Sequence, residues 1–221
     1  MSAKSRSDPL APRKTARQER ATKTVEAILE AAARILEGLG FDGYTTNAIA
    51  QRAGVSIGSL YQYFPNKDAI TLALIARESG TLLDELETAA AIVDWRNALD
   101  EMVSAAVRHQ MRRPRLARLL DIEEARLPSG DDVVLGAIHA IVHQLVEQVH
   151  HGDPKETAML AADVIGMTRG MTDMAGQMQE VDIGALTARV RRAVLGYLSC
   201  YGLSGDAAVL NVSLVSGDRP G

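Results

Sequence analysis

The stretch TTNAIAQRAGVSIGSLYQYFPNK, Thr45 to Lys67, gathers hydroxyls, amides, aromatic rings and a lysine at spacings that suit contact with a nucleic acid. Amide side chains can pair with a base edge, hydroxyls can bond a base or a phosphate, and an ammonium group anchors a phosphate. Nothing comparable points to catalysis. No phosphate-cradling glycine loop occurs, and no carboxylate pair or Ser-His-Asp order rises above chance in a chain with 28 Asp and Glu residues.

Two short amphipathic helices must position those groups. In the first, Ile49 and Ala50 supply the apolar face, and Ala53 precedes Gly54, where a helix stops. Gly54-Val55-Ser56 turns the chain, with Val55 expected to be buried in the corner and Ser56 to cap the next helix. The second helix puts Leu60 and Phe64 on one face, which leaves Ile57, Ser59, Tyr61, Gln62 and Tyr63 to the others. That arrangement matches a DNA-binding helix-turn-helix, whose second helix lies in the major groove.

Charge agrees with a DNA-binding head on a different kind of body. The formal net charge is −4, but residues 1–68 hold ten Lys/Arg against seven Asp/Glu, a net of +3, so the remainder carries −7. Within residues 1–25 seven basic residues (Lys4, Arg6, Arg13, Lys14, Arg17, Arg20 and Lys23) face two acidic ones. A basic arm suits a phosphate backbone and an acidic body discourages random adhesion to it, although a solvated tail would carry the same charge. The single cysteine, Cys200, excludes an intramolecular disulfide, fits a reducing cytoplasm and reads as a small buried hydrophobe. No apolar run approaches the ~18 residues of a membrane span, and the N-terminus lacks the apolar region of a signal peptide. Composition therefore places the chain in the cytoplasm.

The motifs go further. Gly40-Phe41, Thr45-Thr46, Ile49-Ala50, Ala53-Gly54-Val55-Ser56, Gly58, Leu60-Tyr61, Tyr63-Phe64 and Lys67 together resemble the tetracycline-repressor (TetR) family of bacterial transcriptional regulators. Many helix-turn-helix families share Ala-Gly-Val-Ser; the added Gly-x-Leu-Tyr-x-Tyr-Phe-x-x-Lys makes the resemblance specific over residues 22–70. Beyond residue 80 it shrinks to length and helical pattern. The resemblance implies that Thr45 caps the first segment, Thr46 places its hydroxyl on a phosphate and Asn47 reaches base edges, where it can pair with adenine. It likewise implies that Ile57, Gly58 and Ser59 begin the recognition helix. There Ile57 can touch a thymine methyl, Gly58 permits close backbone approach and Ser59 can bond phosphate or base. Tyr61 and Tyr63 resemble the family's contacting aromatics and Lys67 its phosphate anchor, the alternative for the tyrosines being that they pack the head. Ser56 and Gln62 complete the candidate DNA-binding set. The recognition helix has no Arg or Lys, which leaves specificity to DNA shape or the N-terminal arm.

The rest of the chain reads as all-α. Residues 1–20 are expected to be a disordered arm, 21–68 the DNA-binding head, 69–202 a helical ligand-binding and dimerisation body, and 203–221 a flexible tail in which Val209–Val215 is apolar enough to dock. Helical periodicity and breakers predict a first helix over 22–37, a long helix over 67–88 capped by Asn66, and body helices over 94–112, 114–126, 132–151, 155–179 and 183–201. Pro114, Pro128 and Pro154 fall at starts or breaks.

In helix 155–179 a stripe of Leu160, Val164, Met167, Met171, Met174 and Met178 either lines a pocket or packs a core. Gly166 and Gly170 beside it permit close helix approach, and the last helix offers a partner stripe of Ile183, Leu186, Val190, Val194 and Tyr197. His139 and His143 can share a metal, but no Cys, Asp or Glu completes such a site, and His150 lies roughly 16 Å along the axis from the first of them. No metal or cofactor is expected.

The resemblance implies a homodimer through the last two helices, a palindromic DNA operator, and a small-molecule effector of unknown identity that releases it. It also implies a cavity in the body, for which Trp95, Met102, His109, Ile138, Met167 and Met171 are the candidate lining residues. A helical-bundle enzyme or metal-binding protein with an accessory DNA head is the competing reading, and a non-specific architectural DNA binder a third.

Overall fold

A computed structural model describes residues 12–127 and 133–201, of which the side chains of 12–17 and 133 are left aside. Among the described residues there are nine helices and no strand. They are α1 (Pro12–Gly43), α2 (Thr46–Ala53), α3 (Ile57–Tyr63), α4 (Lys67–Ala90), α5 (Trp95–Arg112), α6 (Pro114–Arg126), α7 (Val133–Val149), α8 (Pro154–Gln177) and α9 (Ile183–Ser199). Pro128 and Val209–Val215 lie outside the described residues.

Local chemistry sets most of these boundaries. Asn66 accepts the Ala69 amide at 2.8 Å and opens α4, Asp94 does the same for α5 through Asn97 at 2.9 Å, and Pro114 and Pro154 stand in the first turns of α6 and α8. The first helix departs from expectation. It begins at Pro12, ten residues ahead of the apolar pattern, so residues 12–20 extend a helix instead of forming a loose arm. Arg, Lys, Ala, Gln and Glu are strong helix formers, and elongating a helix already nucleated by buried residues costs little even without apolar contacts. At the other end Gly40 has φ 66° and ψ −161°, a conformation glycine tolerates, and it breaks the helix where the glycines predicted.

Two hydrophobic cores divide the molecule. The head core joins Ile28, Leu36, Ile49, Leu60 and Tyr44 to Ile70 and Leu74 of α4, and also to Leu116, Leu119 and Leu120 of α6. The head is thus closed by two helices that continue into the body. The body core is built by the far half of α4 with α5, α7, α8 and α9, around Leu99, Val107, Val146, Leu160 and Val190. Leu186, Val190 and Val194, read as a partner stripe, are wholly buried inside their own chain. They face α5 and α8, the shortest route by which a final helix buries its apolar side.

Three further expectations change. Val55 is half-buried at the rim of the head core. Cys200 is exposed, because it falls one residue past α9 on the side away from Leu198. His150 lies beyond the end of α7, buried, with Nε2 3.1 Å from Glu156 Oε2 and Nδ1 3.4 Å from the Tyr201 carbonyl. His139 is exposed and His143 half-buried. Among the described residues no three His, Cys, Asp or Glu side chains are grouped so as to hold a metal, and no helix is long and apolar enough to cross a membrane.

Candidate nucleic-acid interface and ligand cavity

The helix-turn-helix is fixed by four capping interactions. Thr45 has extended backbone and its Oγ1 accepts the Ala48 amide at 3.2 Å, opening α2. Gly54 closes α2 at φ 70°, ψ 27°, a left-handed conformation that favours glycine. Ser56 Oγ accepts the Ser59 amide at 3.0 Å and opens α3, and Asn66 opens α4. Each such cap contributes about 1 kcal/mol. They fix the turn between α2 and α3, and Ile49 and Ala50 of α2, Leu60 of α3 and Phe64 just after it anchor the pair to the head core.

The remaining face of α3 is turned outward. Ile57, Tyr61 and Tyr63 are exposed, Tyr61 by half of its surface, together with Gly58 and Gln62 on α3 and Asn47 on α2. Tyr63 keeps about a third of its surface in solvent. Tyr61 OH and Thr46 Oγ1 lie 3.2 Å apart and bridge the two helices on the outer surface. The Ser59 hydroxyl is 2.8 Å from that of Ser56, so each orients the other. A Cβ at Gly58 would meet nothing closer than Ser56 Oγ at 3.9 Å; packing within the chain does not demand glycine there. Lys67, in the first turn of α4, sets its ammonium 5.7 Å from the centre of the Tyr44 ring, a cation–π contact that steers the chain's first cation after α3.

Sequence reasoning passed over Tyr44, Thr71 and Arg52. Tyr44 is buried, its hydroxyl 3.2 Å from that of Thr71, which in turn donates to the Lys67 carbonyl at 3.1 Å. Burial pushes the Tyr44 phenol up to about 12, the Thr71 hydrogen bond opposing and the nearby Glu123 and Asp68 adding to it. An aromatic directly before a Thr-Thr cap was the available signal. Arg52 is exposed in the last turn of α2, and Arg20 and Lys23 are exposed on α1. All three are basic, and α3 itself has no Arg or Lys.

A cavity lies in the body between α4, α5, α6, α7 and α8. Of the six side chains chosen from sequence, Met102, His109 and Ile138 line it, whereas Trp95, Met167 and Met171 do not. Trp95 stands half-buried at the start of α5 under the Arg96 guanidinium, and Met167 and Met171 pack on the flank of the body core. The reason is the threonines. Thr168 donates to the Val164 carbonyl at 2.8 Å and Thr172 to the Thr168 carbonyl at 2.8 Å, so both bury their methyls without an unpaired hydroxyl. They turn the Val164–Thr168–Thr172 face of α8 inward and leave Met174 and Met178 exposed.

The cavity is apolar at one end and charged at the other. Glu78 pairs with Arg77 at 2.5 Å and Arg112 at 3.5 Å, Gln110 donates to Asp121 at 3.0 Å, and Arg169 reaches Glu124 at 3.4 and 3.5 Å. Arg113 reaches out of the body, donating to Glu37 of α1 at 2.6 and 3.1 Å. Desolvation holds the His109 imidazole below its ordinary range, with Arg112 adding to the effect, so it stands neutral near pH 7.

A capped helix-turn-helix with an outward polar and aromatic face, joined through two shared helices to a hollow helical body, defines a DNA-binding transcriptional regulator. Residues 28–81 match the family model described as bacterial regulatory proteins, tetR family, and residues 94–198 match the tetracyclin repressor-like C-terminal domain. The chain belongs to the tetR family, whose members are non-enzymatic transcription factors that bind DNA through the helix-turn-helix.

Its relatives include the A-factor receptor protein of Streptomyces griseus, 35% identical over 72 residues, or 33% of this chain and 26% of that one. The transcriptional repressor KstR of Rhodococcus jostii is 29% identical over 108 residues, 48% of this chain and 47% of that one. The matches thus span between a quarter and a half of those two relatives. Among solved structures, the regulator FadR of Bacillus subtilis in complex with stearoyl-CoA superposes with a TM-score of 0.63 at 17% identity, covering 76% of this chain and 96% of that one. At that identity the likeness is one of fold.

Proposed function

We propose that this protein is a homodimeric repressor that a small molecule releases from a palindromic operator. The observation that carries the reading is the sharing of α6: Leu116 and Leu120 belong to the head core and also line the body cavity. Ile75 of α4 does the same. A molecule in the cavity therefore presses on side chains that the head needs in place. Close-packed cores shift between discrete arrangements instead of deforming smoothly, so occupancy biases head position by the ligand's differential affinity for the two arrangements.

On DNA, α3 enters the major groove with Ile57, Gly58, Ser59, Tyr61 and Gln62 toward the bases. Asn47 and Thr46 flank it, with Tyr63 and Lys67 on the backbone, and Thr45 and Ser56 hold the helices that present them. The outward exposure of Asn47, Ile57, Gly58, Tyr61, Gln62 and Tyr63 supports the assignment, with Thr46, Ser59 and Lys67 partly exposed beside them. Two heads sit about 34–36 Å apart, one helical turn, on the two halves of the site. The dimer forms through α8 and α9. In support, Gly166 and Gly170 of α8 and Gly196 of α9 are exposed, and a Cβ added at any of them would meet no other atom within 4 Å. The effector has an apolar body, a choice supported by the Leu, Ile and Val side chains around the cavity and by the long acyl chain bound to a regulator of the same fold.

Selection of bound sequences from random DNA, followed by sedimentation of the complex, tests the reading. An inverted repeat bound by two protomers is the expected result; a site without two-fold symmetry, or one protomer per site, refutes it.

A further inference from the structure

We propose that the effector ends in an acidic group, a carboxylate or phosphate, and that this group takes Arg113 away from Glu37 of the DNA-binding head. The inference rests on the cavity being the effector site. Arg113 occupies the corner between α5 and α6, where it belongs to neither helix interior (φ −143°, ψ 68°), and it lines the cavity. Yet its guanidinium is spent on the head: it bonds Glu37 at 2.6 and 3.1 Å and lies 3.5 Å from Glu30, both on α1.

The other charges of the cavity are settled within the body. Glu78 is held by Arg77, Asp121 by Gln110, and Glu124 by Arg169. Beside Arg113, Arg112 has among the described residues only the 3.5 Å contact with Glu78, a carboxylate that Arg77 already holds at 2.5 Å. His109, one turn earlier on the same wall, makes no hydrogen bond among the described residues and keeps an N–H to donate. Two adjacent guanidiniums and a neutral imidazole form a corner suited to an oxyanion, because arginine forks match carboxylate and phosphate oxygens.

The ligand's length follows from the same wall. Leu99 lines the apolar end and His109 the polar end, ten residues apart on α5, or about 15 Å along its axis. That is the reach of an extended medium-chain acid with its chain among Leu82, Leu86, Leu99 and Val142. Seating the acid group on Arg113 removes one polar tie between α1 and the body and leaves Glu37 to water, while the Arg77–Glu30 contact at 3.5 Å and the apolar packing of α1 on α6 remain. Binding and head attachment become competitors for one guanidinium. By linkage each weakens the other by the same factor.

Calorimetry of the full chain with decanoate, decanol and decylammonium tests this below the concentrations at which the probes self-associate. Decanoate should bind at least about tenfold tighter than decanol, with decylammonium weakest. Glu37→Gln should tighten decanoate by about threefold or more and leave decanol unchanged, since it frees Arg113 without touching the apolar wall. Arg113→Met should erase the preference for the acid while decanol still binds, which also shows the cavity intact. Equal binding of acid and alcohol, preference for the ammonium, or an unmoved decanoate affinity in Glu37→Gln overturns the inference and leaves the cavity reading standing. If none of the three binds, the cavity reading itself falls.

Discussion

Replacing Tyr44 by phenylalanine should produce a stability cost at neutral pH that vanishes in alkali. The hydroxyl is buried with a single partner among the described residues, Thr71 Oγ1 at 3.2 Å, and Thr71 keeps its own bond to the Lys67 carbonyl when that partner goes. No buried donor is orphaned, so the loss at pH 7 should be that of one ordinary hydrogen bond, about 1 kcal/mol. Above pH 10 that advantage begins to drain away. The phenol's ordinary value is 10.0 and the folded protein pushes it up to about 12, so the folded state holds a proton that the unfolded state has released. Stability from this group is whole below pH 10 and falls as pH climbs toward 12, by about 1.4 kcal/mol per pH unit. The phenylalanine variant has no proton to lose. The two proteins should therefore become equally stable near pH 11, where about 1.4 kcal/mol has drained from the wild type. Chemical denaturation of both proteins at a series of pH values from 7 to 11 measures the difference directly. If the gap stayed constant through that range, Tyr44 would not be the desolvated phenol that its burial implies.

Three other outcomes follow from the described geometry. Lys67→Ala should weaken binding to all DNA alike, whereas Asn47→Ala or Gln62→Ala should relax base preference at single operator positions by about 1–3 kcal/mol, as read by competition against substituted operators. Gly170→Leu should split the dimer in sedimentation, because a branched side chain would stand on the exposed glycine face of α8; an intact dimer would place the interface elsewhere. Ile138→Phe should blunt effector release by filling the cavity, while Met171→Trp should leave it unchanged because Met171 lies on the core's flank. A blunted response in Met171→Trp with a normal one in Ile138→Phe would reverse that assignment.

What could be read from sequence was what short-range chemistry decides. Caps at Thr45, Ser56 and Asn66, the left-handed Gly54 and the prolines at 114 and 154 act within four residues of themselves, and the helix boundaries they mark stand within a few residues of the structure. Apolar periodicity likewise found the helices but misjudged the inward face of the second half of α8. In α8 the methionines looked like the buried stripe because threonine counts as polar, yet a threonine that bonds its own helix's carbonyl presents only a methyl. In α9 the apolar stripe is buried against the body of its own chain. The Arg113–Glu37 pair joins residues 76 positions apart, and the α6 leucines enter a core whose other members precede them by 40 positions or more. No local pattern announces such a meeting.

The double membership of Leu116 and Leu120 bears on how such a protein can change over generations. A substitution on α7 or on the inward face of α8 alters the chemistry of the cavity at residues that are not themselves members of the head core. The same substitution on α6 risks loosening the head as it reshapes the cavity. New ligand preferences are therefore most accessible through α5, α7 and α8, and α6 should vary least among descendants that keep a responsive head. The helix that carries the signal is the one least free to choose which signal it carries.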